Sequence, residues 1–321
     1  MNGRILVATD GTEGALGALR VAAALAERDG GAPIVVAVIE PIVLEGSVLY
    51  AMPGQVLALS DEPEAAMRDH VRGQLAMLGG AAEEWEPETA IGPVASTIAR
   101  LAEERGAGLI VLGFGGHTRA ERFLGGETAL NVVRLARVPV LAVQPDAPGL
   151  PRRAIVAVDF SEYCRDAAST LLDIVGDDAE VRLAHTSWTP TAAGVDAESW
   201  IATYDAGVRA RLDELAGELR SRSGARVAPE VLEGTPSREI LDLAKRTRAD
   251  VIAAGSHGYG FFTRLLMGSV STHLLREAPC SVLIAPPRAA SDELRQARAG
   301  RTEVPAAVAV EAGMASEGAY I

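Results

Sequence analysis

Lysine is nearly missing from this chain: Lys245, in the segment "LAKRTRAD", is the only one among 321 residues. A Walker-type phosphate loop needs its lysine directly after the glycines, so that mechanism is excluded. Cysteine is almost as scarce. Cys164 and Cys280 lie far apart without metal-like spacing, which predicts two reduced, buried thiols and no disulfide framework. The five histidines (His70, His117, His185, His257 and His273) form no His-x3-His pair, so no metal site is expected. Aromatic residues make up 4%, leaving Ala, Val, Leu and Ile to fill the core. No apolar run approaches the ~20 residues of a membrane span. The opening "MNGRILVATDG" enters a strand without a basic segment followed by an apolar stretch. The expectation is a cytoplasmic chain with no membrane partner. A basic face is lacking too: the formal net charge of −13 argues against a nucleic-acid partner. It leaves room for a local anion site built from backbone amides.

What the chain does have is length for two ordinary domains, a hydrophobic fraction of 48%, and a repeat. "RILVATDGTEGA" near the start and "RAIVAVDFSEYC" from Arg153 both read strand, Asp, small turn, helix, so that Asp10 matches Asp159 and Thr12 matches Ser161. A second apolar strand follows in each half, "PIVVAVIEP" and "EVRLAHTSW", then a longer connection and an amphipathic helix. Further on the register locks. Gly92 aligns with Gly234, Ile98 with Ile240, Gly113 with Gly255, Gly116 with Gly258 and Gly126 with Gly268, always 142 residues apart. So constant an offset marks a duplication.

The remaining strands, "LIVLG", "VIAAG", "PVLAV" and "SVLIA", are continuous apolar runs, as expected for strands buried on both faces. Their alternation with helices predicts an open, mainly parallel α/β sheet in each half. Ligands of such sheets sit beyond the carboxyl ends of the strands, where Asp159 and Gly255 both fall. The Pro- and Gly-rich stretch "QPDAPGLPRR" divides the chain into domains over residues 1–146 and 151–287, and residues 288–321 are expected to be a mobile tail, with a short helix capped by Ser291 near its start.

One segment carries the chemistry: "GSHGYGFFTRLLMGSVS", Gly255 to Ser271. Triphosphates can be held without lysine where backbone amides point inward and a helix begins behind them. Gly255 and Gly258 would form one wall, and Gly268 and Ser269 would open a helix on the other, Ser269 donating its hydroxyl. The competing reading makes Ser269 a plain helix cap and Gly268 a plain turn. Spacing alone favours the plainer reading.

Together, "DFSEYC", "GSHGYGFFTRLLMGSVS" and "REAPCSVLIA" resemble the universal stress protein family. Its nucleotide-binding members carry Gly-x2-Gly-x9-Gly-(Ser/Thr), met here by Gly255, Gly258, Gly268 and Ser269. The resemblance spans both halves and implies two tandem Rossmann-like domains, each a five-stranded sheet with helices on both faces. It implies ATP or a related adenine nucleotide in motif-bearing copies, and magnesium is expected to accompany the ATP. It also implies pairing of two such domains through their last strands, here as an intramolecular pseudo-dimer, with a further homodimer left open. By the same resemblance Asp159 lies on the base and ribose side, and Ser271, after Val270, supplies a second hydroxyl near the phosphates.

The copies are unequal. Gly113, Gly116 and Gly126 keep the spacing, but Glu127 stands where Ser269 stands, with Thr128 next to it. A carboxylate about 4 Å from a phosphate charge costs roughly 1 kcal/mol in water and about 4 kcal/mol at an effective dielectric near 20. The first copy is therefore expected to be nucleotide-poor and structural, its degenerate site comprising Asp10, Gly113, Gly116, Gly126, Glu127 and Thr128. A second explanation of Glu127 is that it suits the first turn of a helix. Around the intact site His257 and His185 could touch phosphate or base, Arg264 could grip a phosphate or brace the loop, and Trp188 could close over it or simply pack. Ser161 lacks a Gly-x-Ser-x-Gly elbow and is expected to cap a helix.

Three functions compete: an ATP-binding regulatory module, a slow ATP-hydrolysing or adenylyl-transferring enzyme, and a nucleotide-free scaffold. No general base stands out, and neither His-Ile-Gly-His nor Ser-Gly-Gly-x-Asp-Ser occurs. The first reading is preferred, with no catalytic residue assigned.

Overall fold

Short runs of Ile, Val, Leu and Ala form strands here because both faces of the sheet are covered, so no polar alternation is needed. In the computed structural model, residues 4–44, 47–52, 55–58, 62–114, 119–187, 197–256 and 267–286 are described. The first copy runs β1 (Arg4–Ala8), α1 (Leu16–Asp29), β2 (Ile34–Ile39), β3 (Pro41–Leu44), β4 (Ser47–Met52), β5 (Gln55–Ala58), α2 (Pro63–Leu78), β6 (Glu88–Ile91), α3 (Val94–Glu104), β7 (Ala107–Gly113), α4 (Arg119–Leu135) and β8 (Val140–Val143). The second runs β9 (Arg153–Ala157), α5 (Glu162–Ile174), β10 (Glu180–Ser187), α6 (Ala197–Arg222), β11 (Arg226–Glu233), α7 (Pro236–Thr247), β12 (Val251–Gly255), α8 (Ser269–Glu277) and β13 (Ser281–Ala285).

Each copy is a five-stranded, wholly parallel sheet, ordered β6-β2-β1-β7-β8 and β11-β10-β9-β12-β13. The two join into one ten-stranded sheet through β8 and β13, which pair antiparallel with Leu141 opposite Leu283. Helices α1, α2, α5 and α6 cover one face, burying Leu19, Val71, Leu171 and Leu212. Helices α3, α4, α7 and α8 cover the other, burying Ile98, Leu130, Leu243 and Leu274. Both apolar layers run through the two copies without a break.

The sequence reading treats the link after β2 as a plain connection, whereas in the first copy it folds into a small antiparallel sheet, β3-β4-β5. Helix α6 starts at Ala197, ahead of Ala206, where the helical periodicity of "AGVRARLDELAGELRSR" begins in the sequence. Gly207 obscures it, since a glycine inside a helix costs ~1 kcal/mol against alanine. The expected tail, residues 288–321, with a short helix capped by Ser291, lies outside the described residues. Among the described residues no helix is long and apolar enough to cross a membrane. Cys164 and Cys280 are buried free thiols. Burial pushes them up to about 11 and about 12, so neither is a thiolate near neutral pH.

Polar contacts fix the linker. Arg20 donates to the carbonyls of Pro145 (2.9 Å) and Ala147 (3.0 Å), and Ser281 Oγ accepts from the Gln144 amide (3.2 Å). Asp250, before β12, accepts from the amides of Arg152 (3.0 Å) and Arg153 (2.9 Å) and from the Arg153 guanidinium (2.7 Å). Burial alone would raise the Asp250 pKa, but the Arg153 guanidinium and both amides outweigh it and hold the carboxyl below its usual range. The unfolded chain therefore takes up this proton at higher pH than the native one. The stabilisation is complete above the unfolded pKa of about 4 and is lost as pH falls through the lower native value. Asp250→Asn is accordingly expected to lower the Tm at pH 7, with the deficit shrinking below about pH 4; thermal melts of both proteins from pH 7 to 3 check this.

Candidate functional site

The carboxyl ends of β9, β10 and β12 open onto a cavity of about 340 Å³, lined by Asp159, His185, Thr186, Ile240, Gly255 and the start of α8 from Gly268 to Ser271. A larger hollow of about 750 Å³ lies under the linker, lined by Gln144, Pro148 and Cys280. None of the described motif residues lines it.

Asp159 follows β9 as the chain turns. Its Oδ1 accepts from both the amide (3.0 Å) and the hydroxyl (2.6 Å) of Ser161. Ser161 Oγ in turn accepts from the Cys164 amide (3.3 Å), so Ser161 caps α5 as expected and is fully engaged in the turn. Asp10 and Thr12 repeat the same two bonds in the first copy, at 2.9 and 2.6 Å.

Between Asp159 and Ser161 stands Phe160, with φ of +62°; its twin is Gly11, at φ +78°. A left-handed conformation costs a bulky residue roughly 1–2 kcal/mol, so contacts must hold it there. Its ring centroid lies 4.7 Å from that of the His185 ring, and the Arg211 guanidinium carbon sits over the ring, 4.0 Å from its centroid. His185 Nδ1 is 2.7 Å from the Val158 carbonyl, which makes that nitrogen a donor. His185 Nε2 and Thr186 Oγ1 are buried with no hydrogen-bond partner. Orphaned buried polar atoms are uncommon and call for an explanation. The strand pairing places Ala37 and Val38 of β2 at these two positions in the first copy, so the polar pair belongs to the second copy alone.

Helix α8 forms the far wall. Gly268 is its N-cap, and the Gly268 amide donates to Ser256 O (2.9 Å). Ser269 is the first helical residue and so does not cap the helix, contrary to the plainer reading of the sequence. A cap without a side chain leaves the first amides of α8 to other partners, and Ser269 is exposed at that mouth. Ser271 is buried, and its hydroxyl donates to the Gly255 carbonyl (2.6 Å). That bond ties α8 to β12 and occupies the hydroxyl proton expected near the phosphates. Gly255 itself serves packing: a Cβ there would lie 2.5 Å from Tyr163 Cβ and 2.9 Å from the Tyr163 carbonyl carbon. Gly113 is equally tight, with its Cβ 2.7 Å from the Gly14 carbonyl oxygen. The first motif glycine therefore serves strand-to-helix packing in both copies.

His257, Gly258, Arg264 and Trp188 lie outside the described residues, as do Gly116 and His117. In the first copy α4 begins at Arg119, so Gly126, Glu127 and Thr128 lie inside a helix. The amides of Glu127 and Thr128 are then spent on carbonyls four residues back, and no helix mouth opens there. Glu127 thus sits mid-helix and not in a first turn, and its carboxylate accepts from Arg276 of α8 (3.0 Å). Bulk adds to the difference. Val36, Val38 and Leu112 of the first copy replace Ala184, Thr186 and Ala254 by register. The cavity there, lined by Asp10, Gly113 and Thr128 among others, holds about 230 Å³.

Phe160, Thr186 and Arg211 escape the sequence reading. The available signals are a phenylalanine where the twin has glycine, and a polar pair where the twin strand is apolar.

Fold and cavity define a tandem Rossmann-like α/β protein whose candidate ligand site lies at the carboxyl ends of the second sheet. The universal stress protein family model matches residues 1–144 and 151–286, and the chain belongs to that family, as a member with two fused copies. It is 28% identical over 140 residues to universal stress protein MJ0531 of Methanocaldococcus jannaschii, covering 42% of this chain and 82% of that one. Universal stress protein Mb2019 of Mycobacterium bovis is 24% identical over 259 residues, 76% of this chain and 75% of that one. Universal stress protein Mb2028c of the same organism matches at 26% over 197 residues, 64% of its own length and 59% of this chain. Among solved structures, a universal stress protein from Archaeoglobus fulgidus superposes with a TM-score of 0.56 at 21% identity, covering 89% of this chain and 96% of that one. The PA1789 protein of Pseudomonas aeruginosa does so with a TM-score of 0.65 at 16% identity, covering 93% and 98%. At these identities the structural likeness concerns the fold.

Proposed function

We propose that the second copy binds an adenine nucleotide, ATP in preference, and that the chain is a regulatory protein with the first copy as its structural partner. The observation that carries this reading is the cavity itself. Its ~340 Å³ falls within the usual range for small-molecule sites, about 300–1,000 Å³, and that of the first copy falls below it. Its lining also includes His185 and Thr186, each with an unpaired buried polar atom, and on the other side a glycine-capped helix mouth.

In this reading the base enters between β10 and α7, where His185 Nε2 and Thr186 Oγ1 lie unpaired. Asp159 faces the ribose, with its Oδ1 already fixed by Ser161. The phosphates reach the α8 amides, the Ser269 hydroxyl and the segment containing His257, Gly258 and Arg264. Ser271 acts from behind, holding the Gly255 carbonyl. Among the described residues no cluster of three metal-ligating side chains exists. Magnesium would therefore arrive with the nucleotide, held by phosphate oxygens and water. Detection of a bound nucleotide would exclude the nucleotide-free scaffold, and negligible turnover would exclude the enzymatic alternative.

Calorimetric titration of the full chain with MgATP is expected to give one site per chain. Two equal sites would refute the division of roles, and absence of binding at millimolar ATP would refute the reading as a whole.

A further inference from the structure

We propose that Arg134 of the first copy completes the nucleotide site of the second by meeting its terminal phosphates. This rests on the nucleotide reading above and adds to it a residue from the other side of the domain boundary.

The argument starts from symmetry. Residues of the two copies correspond by a shift of 142 around their last strands. β8 and β13 pair with Leu141 opposite Leu283, flanked by Ala142–Val282 and Val140–Ile284. Applying the shift to either flanking pair returns the other, so a pseudo-two-fold axis passes between Leu141 and Leu283. Helices α4 and α8 obey it. Ala136 donates to Val132 O and Ala278 to Leu274 O, and Val132 is buried as Leu274 is.

Across this axis α8 sends Arg276 to the Glu127 carboxylate at 3.0 Å. The symmetric contact joins Arg134 of α4 to position 269. There the chain carries serine, whose side chain ends two bonds short of a glutamate carboxylate and bears no charge. Arg134 is exposed and now donates to Asn131 on its own helix, a long contact of 3.3 Å. An anion held by the Ser269 hydroxyl and the α8 mouth would stand where the first copy has its carboxylate. In the first copy Glu127 is thus a built-in stand-in for the phosphate that the second copy has room to receive. The guanidinium offers such a group a planar, bidentate donor. Since AMP carries its phosphate nearer the ribose, Arg134 should distinguish ATP from AMP.

The test uses the full chain with ATP and AMP as probes. Arg134→Ala is expected to weaken ATP about 10- to 100-fold, to leave AMP within about twofold, and to keep the parental Tm. Arg134→Lys should recover part of the loss, and Arg276→Ala should leave ATP affinity unchanged. Equal ATP affinity in Arg134→Ala and parent overturns the proposal while leaving the nucleotide reading intact. A parent that binds neither nucleotide overturns both. The symmetry itself is read without nucleotide: Ser269→Glu should raise the Tm by about 1–3 °C by creating the mirror ion pair. That gain should vanish when combined with Arg134→Ala. An undiminished gain in the combined variant would show that Arg134 does not reach position 269, and would overturn the proposal.

Discussion

Gly268→Val is expected to weaken ATP binding by at least about a hundredfold while the protein stays folded. The backbone at Gly268 has φ −58° and ψ 146°, a conformation that valine adopts readily. Its amide still reaches Ser256 O. The backbone conformation therefore does not require glycine at this point, and valine at an N-cap costs ~1 kcal/mol. The Tm should drop by no more than about 4 °C. What the substitution does remove is access, because a branched side chain would stand at the helix mouth between the first α8 amides and any ligand oxygen. Titration with MgATP and a thermal melt give the two readings. Retained affinity would show that the phosphates lie elsewhere, and a collapse of the Tm would show that Gly268 is structural.

The other glycine of the same motif should behave in the opposite way. Gly255→Ala places a methyl 2.5 Å from Tyr163 Cβ, with the Tyr163 carbonyl carbon at 2.9 Å and the Cys164 amide nitrogen at 3.2 Å. Two of these three neighbours are backbone atoms, so either β12 or the first turn of α5 must move. Overpacking of this kind costs about 1–3 kcal/mol, which lowers the Tm by about 2–12 °C for a chain of this size. Gly113→Ala should produce a comparable loss through its 2.7 Å approach to Gly14 O. Neither depends on nucleotide. An unchanged Tm for both variants would show that these strand-to-helix approaches can relax around a methyl group.

That contrast explains what the sequence could and could not tell. The duplicated glycines look alike in the chain, yet Gly113 and Gly255 serve packing and, among the described motif glycines, only Gly268 caps a helix. Spacing cannot separate those causes, because a close backbone approach and an anion cradle ask for the same missing Cβ. The sheet was legible through its buried strands, where "LIVLG" and "SVLIA" admit no polar face. The edge strands were not. β6 ("ETAI") and β11 ("RVAPEVLE") pair on one side only, and polar residues and Pro229 interrupt their pattern. Asp159 and Ser161 were legible because their turn is local. His185 was legible as a residue near the crevice, but its unpaired Nε2 and its packing against Phe160 depend on strand neighbours far away in sequence. Glu127 was legible as a difference between the copies, and its partner Arg276 lies 149 residues away.

The antiparallel junction of β8 with β13 has a consequence for how such a protein can change. In a homodimer built on a true two-fold, every substitution appears on both sides of the axis. A carboxylate gained at one nucleotide site would be gained at both, and binding would be lost outright. Because the two partners here are one polypeptide, positions 127 and 269 face each other's helices yet mutate independently. Dilution cannot separate them either, since their association is intramolecular and does not depend on chain concentration. Fusion thus turns a symmetric pair into one whose members can specialise, with one half free to harden into scaffold while the other stays open to a ligand.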